Sequence, residues 1–296
     1  PYVNDMDNYR SAVTYELEYV QFPRSTIESY TTTWEKVIKT IYDSDDFGGQ
    51  LNRNKYFKED LVSLTEGKSD EIQKISAIFS FVQNRMNWNG FLGYYTDKGV
   101  EDAYKEKSGN IADINLMLTA MLKGAGMQAD PVLISTRDNG VPLFPTLNGF
   151  NYVVASVNLN GHTILLDASN KFSEPNVLPT RALNWFGRAI REDGSSSTMS
   201  VFPELPSKEV NVLSVNLKND GTVDGKIRKT YMDHKAYIFR NAYNDVNRED
   251  YLDKIENKFQ GMEISDYKVS NDKTTGKPIT EIFEYKLENH ADVVGD

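Results

Sequence analysis

Asn160-Gly161, set between two largely apolar runs, constrains the fold of this chain more than any other feature. An Asn-Gly pair readily supplies the two positive φ angles of a two-residue type I′ turn, so residues 150–159 and 162–169 are predicted to form an antiparallel hairpin. The turn fixes the register. Leu159 opposes His162, so Val157 meets Ile164, Ala155 meets Leu166 and Val153 meets Ala168, and this apolar face belongs to a core. The opposite face carries Tyr152 and Asp167 as diagonal neighbours, roughly 7–8 Å apart and within reach of long side chains.

Ahead of the hairpin, residues 107–136 read as a loop, a buried helix and a central strand. Asn110 with Asp113 three residues later matches a capping arrangement in which Asp stands in for the usual Glu or Gln. Ile111, Ile114, Leu118, Met121, Leu122 and Ala125 form one stripe, and Leu116, Met117 and Ala120 leave little polar surface on the other sides. Such a helix is buried almost all round. Gly126 is the candidate residue that ends it, and Val132-Leu133-Ile134 follows as a short buried strand.

The rest of the chain gives weaker signals. Residues 12–22 alternate as a half-buried strand does. Trp34, Val37, Ile38, Ile41 and Tyr42 recur at helical spacing, and the acidic run at 43–46 with Gly48-Gly49 closes that segment. That run is no EF-hand loop, because Phe47 and Asn54 stand where an oxygen ligand and a Glu are required. A second helix is expected over residues 69–86, capped by Ser69 or Asp70, with Ile72, Ile75, Ile78, Phe79 and Val82 on its buried side. Residues 87–104 read as a turn-rich stretch carrying Trp88, Phe91, Tyr94 and Tyr95. Four prolines and a flexible Gly-Ser loop at 194–197 lead to a boundary near Leu205.

Beyond it, residues 210–217 and 222–231 read as strands, 234–244 and 248–259 as helices, and 263–269 and 279–287 as strands. Tyr237, Ile238, Tyr251, Leu252 and Ile255 are the expected buried helix positions. The class is therefore α+β: helices packed on an antiparallel sheet, then a smaller, strand-rich α+β module. The expected domains are residues 1–29, the last strand or strands of a truncated β domain; residues 30–205; and residues 206–296, also truncated. The 296 residues fit about two domains.

Composition enters through what it excludes. The chain has no cysteine, so it has no disulfide, no thiolate nucleophile and no thiolate metal site. A formal charge of −10 argues against nucleic acid and anionic membrane as partners, since both recruit Lys and Arg. No apolar run approaches the roughly 20 residues of a membrane span. Gly-rich phosphate loops, His-Glu-x-x-His and Gly-x-Ser-x-Gly are all missing, and neither a cofactor nor a metal is expected.

Gly109-Asn110-Ile111-Ala112-Asp113, Phe150-Asn151-Tyr152 and Leu166-Asp167-Ala168 together resemble the transglutaminase-like, or papain-like, fold. The order of elements resembles bacterial multidomain proteins in which that domain lies between two β-rich domains of unknown function. The resemblance covers about residues 30–205. It implies a nucleophilic Cys at the N-terminus of the buried helix, a His on the first hairpin strand and an orienting Asp on the second. Carried over, the nucleophile position is Ile111, the base position is Tyr152, and Asp167 alone is retained. Isoleucine has no ionisable group, and a tyrosine of ordinary pKa, about 10, is a poor base at neutral pH.

The expectation is thus a catalytically inactive transglutaminase-like protein. It would act as a binding or scaffolding module for a peptide, a glycan or a partner protein, in an exported, periplasmic or cell-envelope protein, with no insertion of this segment into a membrane. Trp88, Gly109, Asn110, Ile111, Tyr152 and Asp167 are the candidate cleft residues. Two alternatives stay open. One is a structural spacer, marked by a cleft plugged by Ile111 and Tyr152; the other is an enzyme of non-cysteine chemistry using Asp167 and Tyr152 for proton transfer.

Overall fold

The computed structural model of the chain describes residues 6–11, 13, 15, 17, 19–29, 33–204, 206–259 and 261–288. They fall into two compact units that divide between Pro203 and Glu204. Of the strand expected over residues 12–22, positions 12, 14, 16 and 18 lie outside the described residues. What is seen there is β1 (Tyr19–Val20), paired antiparallel with β2 (Glu28–Ser29).

Helix α1 (Trp34–Tyr42) buries Val37, Ile38, Ile41 and Tyr42, and the Thr33 side chain caps it by accepting from the Lys36 amide. Gly48-Gly49, expected to close that segment, instead opens the short α2 (Gly48–Leu51). A Cβ on Gly48 would sit 1.9 Å from the Tyr42 carbonyl oxygen, so the chain can fold back on α1 only through glycine. Apolar spacing does not mark α3 (Lys58–Thr65), because it buries only Leu61. Helix α4 (Glu71–Arg85) is capped by Asp70 and buries Ile75, Ile78, Phe79 and Val82. Ile72, expected on the same face, is exposed, since the buried stripe runs out in the helix's first turn.

The stretch expected to be turns holds β3 (Asn87–Trp88) and then α5 (Val100–Glu106), a seven-residue helix too short to show a period. Strand β4 (Ser108–Gly109) pairs parallel with β3 and leads into α6 (Ile111–Gly124). Every residue of α6 from Ile111 to Leu122 is buried. Each large apolar side chain so placed contributes roughly 1.5–3 kcal/mol, so α6 is the element the first core condenses around.

The sheet beside it consists of β5 (Ala129–Ile134), β6 (Tyr152–Leu159), β7 (His162–Leu166), β8 (Phe186–Ile190) and β9 (Ser196–Ser200). Its order is β7-β6-β5-β8-β9, with all neighbours antiparallel. The β6–β7 register is the one the Asn-Gly turn dictates, Leu159 opposite His162 and Ala155 opposite Leu166. Asn160 and Gly161 hold φ of +52° and +85°. The pairing stops at Ala155 and Leu166, so Val153 and Ala168 lie beyond the ladder. Residues 194–197 are not a free loop: they form the turn and first residues of the β8–β9 hairpin. The polar Ser-Ser-Thr-Met-Ser sequence of β9 hides this half-exposed edge strand.

The second unit runs β10 (Glu209–Leu217), β11 (Val223–Tyr231), α7 (His234–Tyr243), α8 (Arg248–Glu256), β12 (Met262–Ser270) and β13 (Ile279–Leu287). Its antiparallel sheet has the order β10-β11-β13-β12. Ile238 is exposed rather than buried, because α7 turns Ala236, Phe239 and Arg240 inward, three and four residues apart. On β13 the buried row is Ile279, Glu281, Phe283, Tyr285 and Leu287, a carboxylate among apolar side chains. The chain is α+β, with helices against an antiparallel sheet and a second, strand-rich sheet after it.

Candidate functional site

The site is built where the start of α6 meets the β6–β7 hairpin. Asn110 is the N-cap: its Oδ1 accepts from the Asp113 amide at 2.8 Å, and its own amide donates to Asp113 Oδ2 at 2.9 Å. The second Asp113 oxygen accepts from the Gly99 amide at 3.1 Å. Burial raises the Asp113 pKa above the ordinary carboxylate value, and these backbone hydrogen bonds oppose that rise.

A loop lies across this helix end. The Ile111 amide donates to the Phe91 carbonyl, the Asn89 amide donates to the Gly109 carbonyl, and Trp88 Nε1 donates to the Phe91 carbonyl at 2.8 Å. Asn110 Nδ2 donates to the Tyr95 carbonyl. Helix N-termini attract ligands through unbonded N–H groups, and here the Ile111 and Asp113 amides are already bonded within the chain.

On the hairpin, the Tyr152 hydroxyl donates to Asp167 Oδ2 at 2.6 Å and lies 3.2 Å from Ser169 Oγ. Asp167 Oδ1 accepts from Asn115 Nδ2 and from the Ser169 amide, both at 2.9 Å. Asn115 also accepts from the Ala168 amide and donates to the Val153 carbonyl, tying α6 to both sides of the hairpin. Burial first, then the Asp167 charge, pushes the Tyr152 pKa far above that of a free phenol. Tyr152 is therefore held as a hydrogen-bond donor and stays protonated at neutral pH. Sequence reasoning placed Tyr152 beside Asp167 but passed over Asn115. The signal was available: an amide in a helix buried all round has to find partners.

Ile111, Tyr152 and Asp167 each have 0% exposure. Gly109 and Asn110 are buried as well, and Trp88 alone of the six candidate residues keeps partial exposure, with the Arg181 guanidinium 4.2 Å from its ring centre. Exposed apolar side chains stand on the neighbouring loops: Phe91 at 68%, Leu143 at 81% and Trp185 at 54%. Their loops are pinned. Asn184 Nδ2 donates to the carbonyls of Ser135, Thr136 and Gly140, Arg137 Nε to that of Leu183, and the Tyr94 hydroxyl to that of Leu147. Trp185 holds a φ of +54°, a conformation that bulky residues rarely adopt. Neither these rim residues nor Arg181 stood out in the sequence as a group, because only the fold brings their loops together.

The family model of the transglutaminase-like superfamily matches residues 60–164, from α3 into β7. The chain carries a transglutaminase-like domain. The match takes in Ile111 and Tyr152 and ends three residues before Asp167. No curated protein matches the chain. Two solved structures are similar to it. One is a candidate protease from Parabacteroides distasonis, at 11% identity and a TM-score of 0.43, covering 93% of this chain and 57% of that one. The other is a candidate cysteine protease from Cytophaga hutchinsonii, at 14% identity and a TM-score of 0.34, covering 53% of this chain and 52% of that one. The chain spans little more than half the length of either protein.

Among the described residues of the transglutaminase-like domain and the unit after it, no three His, Asp or Glu side chains converge as metal ligands. No helix among them is long and apolar enough to cross a membrane.

Proposed function

We propose that this transglutaminase-like domain performs no cysteine chemistry and serves as a binding or scaffolding module in an exported or cell-envelope protein. The observation that carries the reading is Ile111, the first residue of α6, fully buried beneath the Phe91 carbonyl in a chain without cysteine. A nucleophile at that place draws on the helix dipole and a neighbouring base. Here the helix start holds a hydrocarbon side chain, and the base position holds Tyr152, a protonated donor to Asp167. Proton transfer between Asp167 and Tyr152 is a poor alternative, because a phenol with so raised a pKa and no exposure neither gives up its proton near neutrality nor meets a substrate.

Binding would then fall to the rim. Phe91, Leu143 and Trp185 offer exposed apolar surface on loops held by hydrogen bonds, and an extended peptide or a glycan is the partner such aromatic surface suits. The complete burial of Ile111 and Tyr152 favours a second reading, a structural spacer whose old cleft has become core. Export and multidomain context rest on the resemblance in element order.

Purified chain incubated with an amine and glutamine peptides, and separately with a peptide-hydrolysis panel, is expected to give neither cross-linking nor cleavage. Turnover that co-purifies with the chain and is lost in Tyr152→Phe overturns the proposal. Phe91→Ala with Trp185→Ala separates the two readings: loss of peptide or glycan retention supports binding, and no retention by the unaltered chain supports a spacer.

A further inference from the structure

The second unit holds a cavity of about 220 Å³ between α7, the start of α8 and β12. Its wall is aromatic. Tyr243 meets Tyr251 edge-on with ring centres 4.6 Å apart, Phe239 lies 5.0 Å from Tyr243, and Tyr267 lies 5.8 Å from Tyr251. The Tyr251 and Tyr267 hydroxyls both donate to Glu281 Oε1 at 2.7 Å, so they point to β13 and leave their rings to face the cavity. Glu281 fixes these two rings in place, so a ligand pays little ordering cost on meeting them.

The edge of the cavity is cationic. Arg248 and Lys273 line it and are exposed, against one half-buried carboxylate, Asp272. The Arg248 guanidinium stands 5.0 Å from the centre of the Tyr267 ring and donates through Nη2 to the Tyr267 carbonyl, which orients it at the mouth with further N–H groups to offer. In a chain of formal charge −10, this is a local excess of positive charge beside an apolar wall. Size narrows the ligand further. A cavity of roughly 150 Å³ holds benzene, and drug-sized sites run to about 300–1,000 Å³, so this one suits a single ring with one small substituent.

We propose that this cavity binds a small aromatic carboxylate, its ring against Tyr243, Tyr251 and Tyr267 and its carboxylate at Arg248 and Lys273. The ring makes edge-to-face contacts with the wall, and the carboxylate accepts charge-assisted hydrogen bonds at the mouth. The site is independent of the transglutaminase-like domain and of its proposed loss of chemistry.

Benzoate, benzamide and acetate are the probes, titrated into the full chain and followed by the aromatic NMR signals. Benzoate is expected to bind in the millimolar range or tighter, benzamide about 10-fold more weakly for want of the charge, and acetate not at all. Arg248→Gln should bring benzoate down to the level of benzamide while leaving benzamide unchanged. Val246→Trp, at the cavity wall, should abolish binding of both while the chain still unfolds cooperatively. Equal affinity for benzoate and benzamide, benzoate binding that survives Val246→Trp, or no saturable benzoate binding at about 10 mM overturns the proposal.

Discussion

Asp167 and Glu281 are both carboxylates without exposed surface, and each accepts from tyrosine hydroxyls at 2.6–2.8 Å. Around Asp167 the donors are one phenol, one side-chain amide and one backbone amide, brought by α6 and the hairpin as they close on each other. Around Glu281 there are three phenols, from β11, α8 and β12. The first arrangement fills space, and the helix start ends up as core. The second draws three hydroxyls to one point, fixing in place two rings that wall a cavity. Satisfying a buried carboxylate thus closes one region and shapes the other, depending on whether its donors are compact or ride on large rings.

The comparison breaks most visibly at Glu281. Glu281→Ala leaves the buried Tyr251 and Tyr267 hydroxyls without their acceptor, at about 1–3 kcal/mol each, and frees the part-buried Tyr231 hydroxyl as well, so denaturant unfolding should show a loss of about 3 kcal/mol or more. A loss below 1 kcal/mol would mean that water or other groups replace the carboxylate. At the other site, Tyr152→Phe removes one of the three hydrogen bonds to the Asp167 carboxylate and should cost about 2 kcal/mol, with Asn115 and the Ser169 amide still holding Asp167.

Alkaline titration sharpens the comparison. The pKa of Tyr152, Tyr251 and Tyr267 is raised in the folded chain, in each case chiefly by burial. A raised folded value means the native state holds its proton more tightly than the unfolded one. The stability from these groups is therefore complete below the free phenol value, about 10, and falls above it by about 1.4 kcal/mol per group and pH unit. Ultraviolet titration of the 17 tyrosines should show these three ionising only as the chain unfolds. Ordinary titration of all of them in folded protein contradicts the buried-donor picture. The smallest effect is at the cap: Asn110→Ala should lower stability by about 1 kcal/mol, read from the same denaturant midpoints.

Much of the fold was legible because periodic burial leaves a periodic sequence. Asn160-Gly161 gave the hairpin register, alternation gave the strands of the second unit, and the all-round apolar stripe gave α6. Helices α3 and α5 and the β8–β9 hairpin were not legible, being short or half-exposed, so no period develops. The Tyr152–Asp167 contact could be reached because Tyr152 opens β6 and Asp167 directly follows β7, just past the ladder that the turn registers. Phe91, Arg181 and Trp185 are far apart in sequence and sit on loops whose path no pattern encodes. The Glu281 cluster spans 51 positions for the same reason, yet β13 alone hints at it, since alternation puts Glu281 in the row of Ile279 and Phe283.

The central claim is that Ile111 occupies the place where this fold would carry a nucleophile. Ile111→Cys combined with Tyr152→His tests it through the pH dependence of the thiolate's ultraviolet absorbance, which needs no reagent to reach the buried position. A helix start and an imidazole oriented by Asp167 should stabilise the thiolate, so the midpoint should fall at least one unit below the ordinary thiol value of about 8.5. A midpoint at or above that value, the result of burial alone, contradicts the assignment.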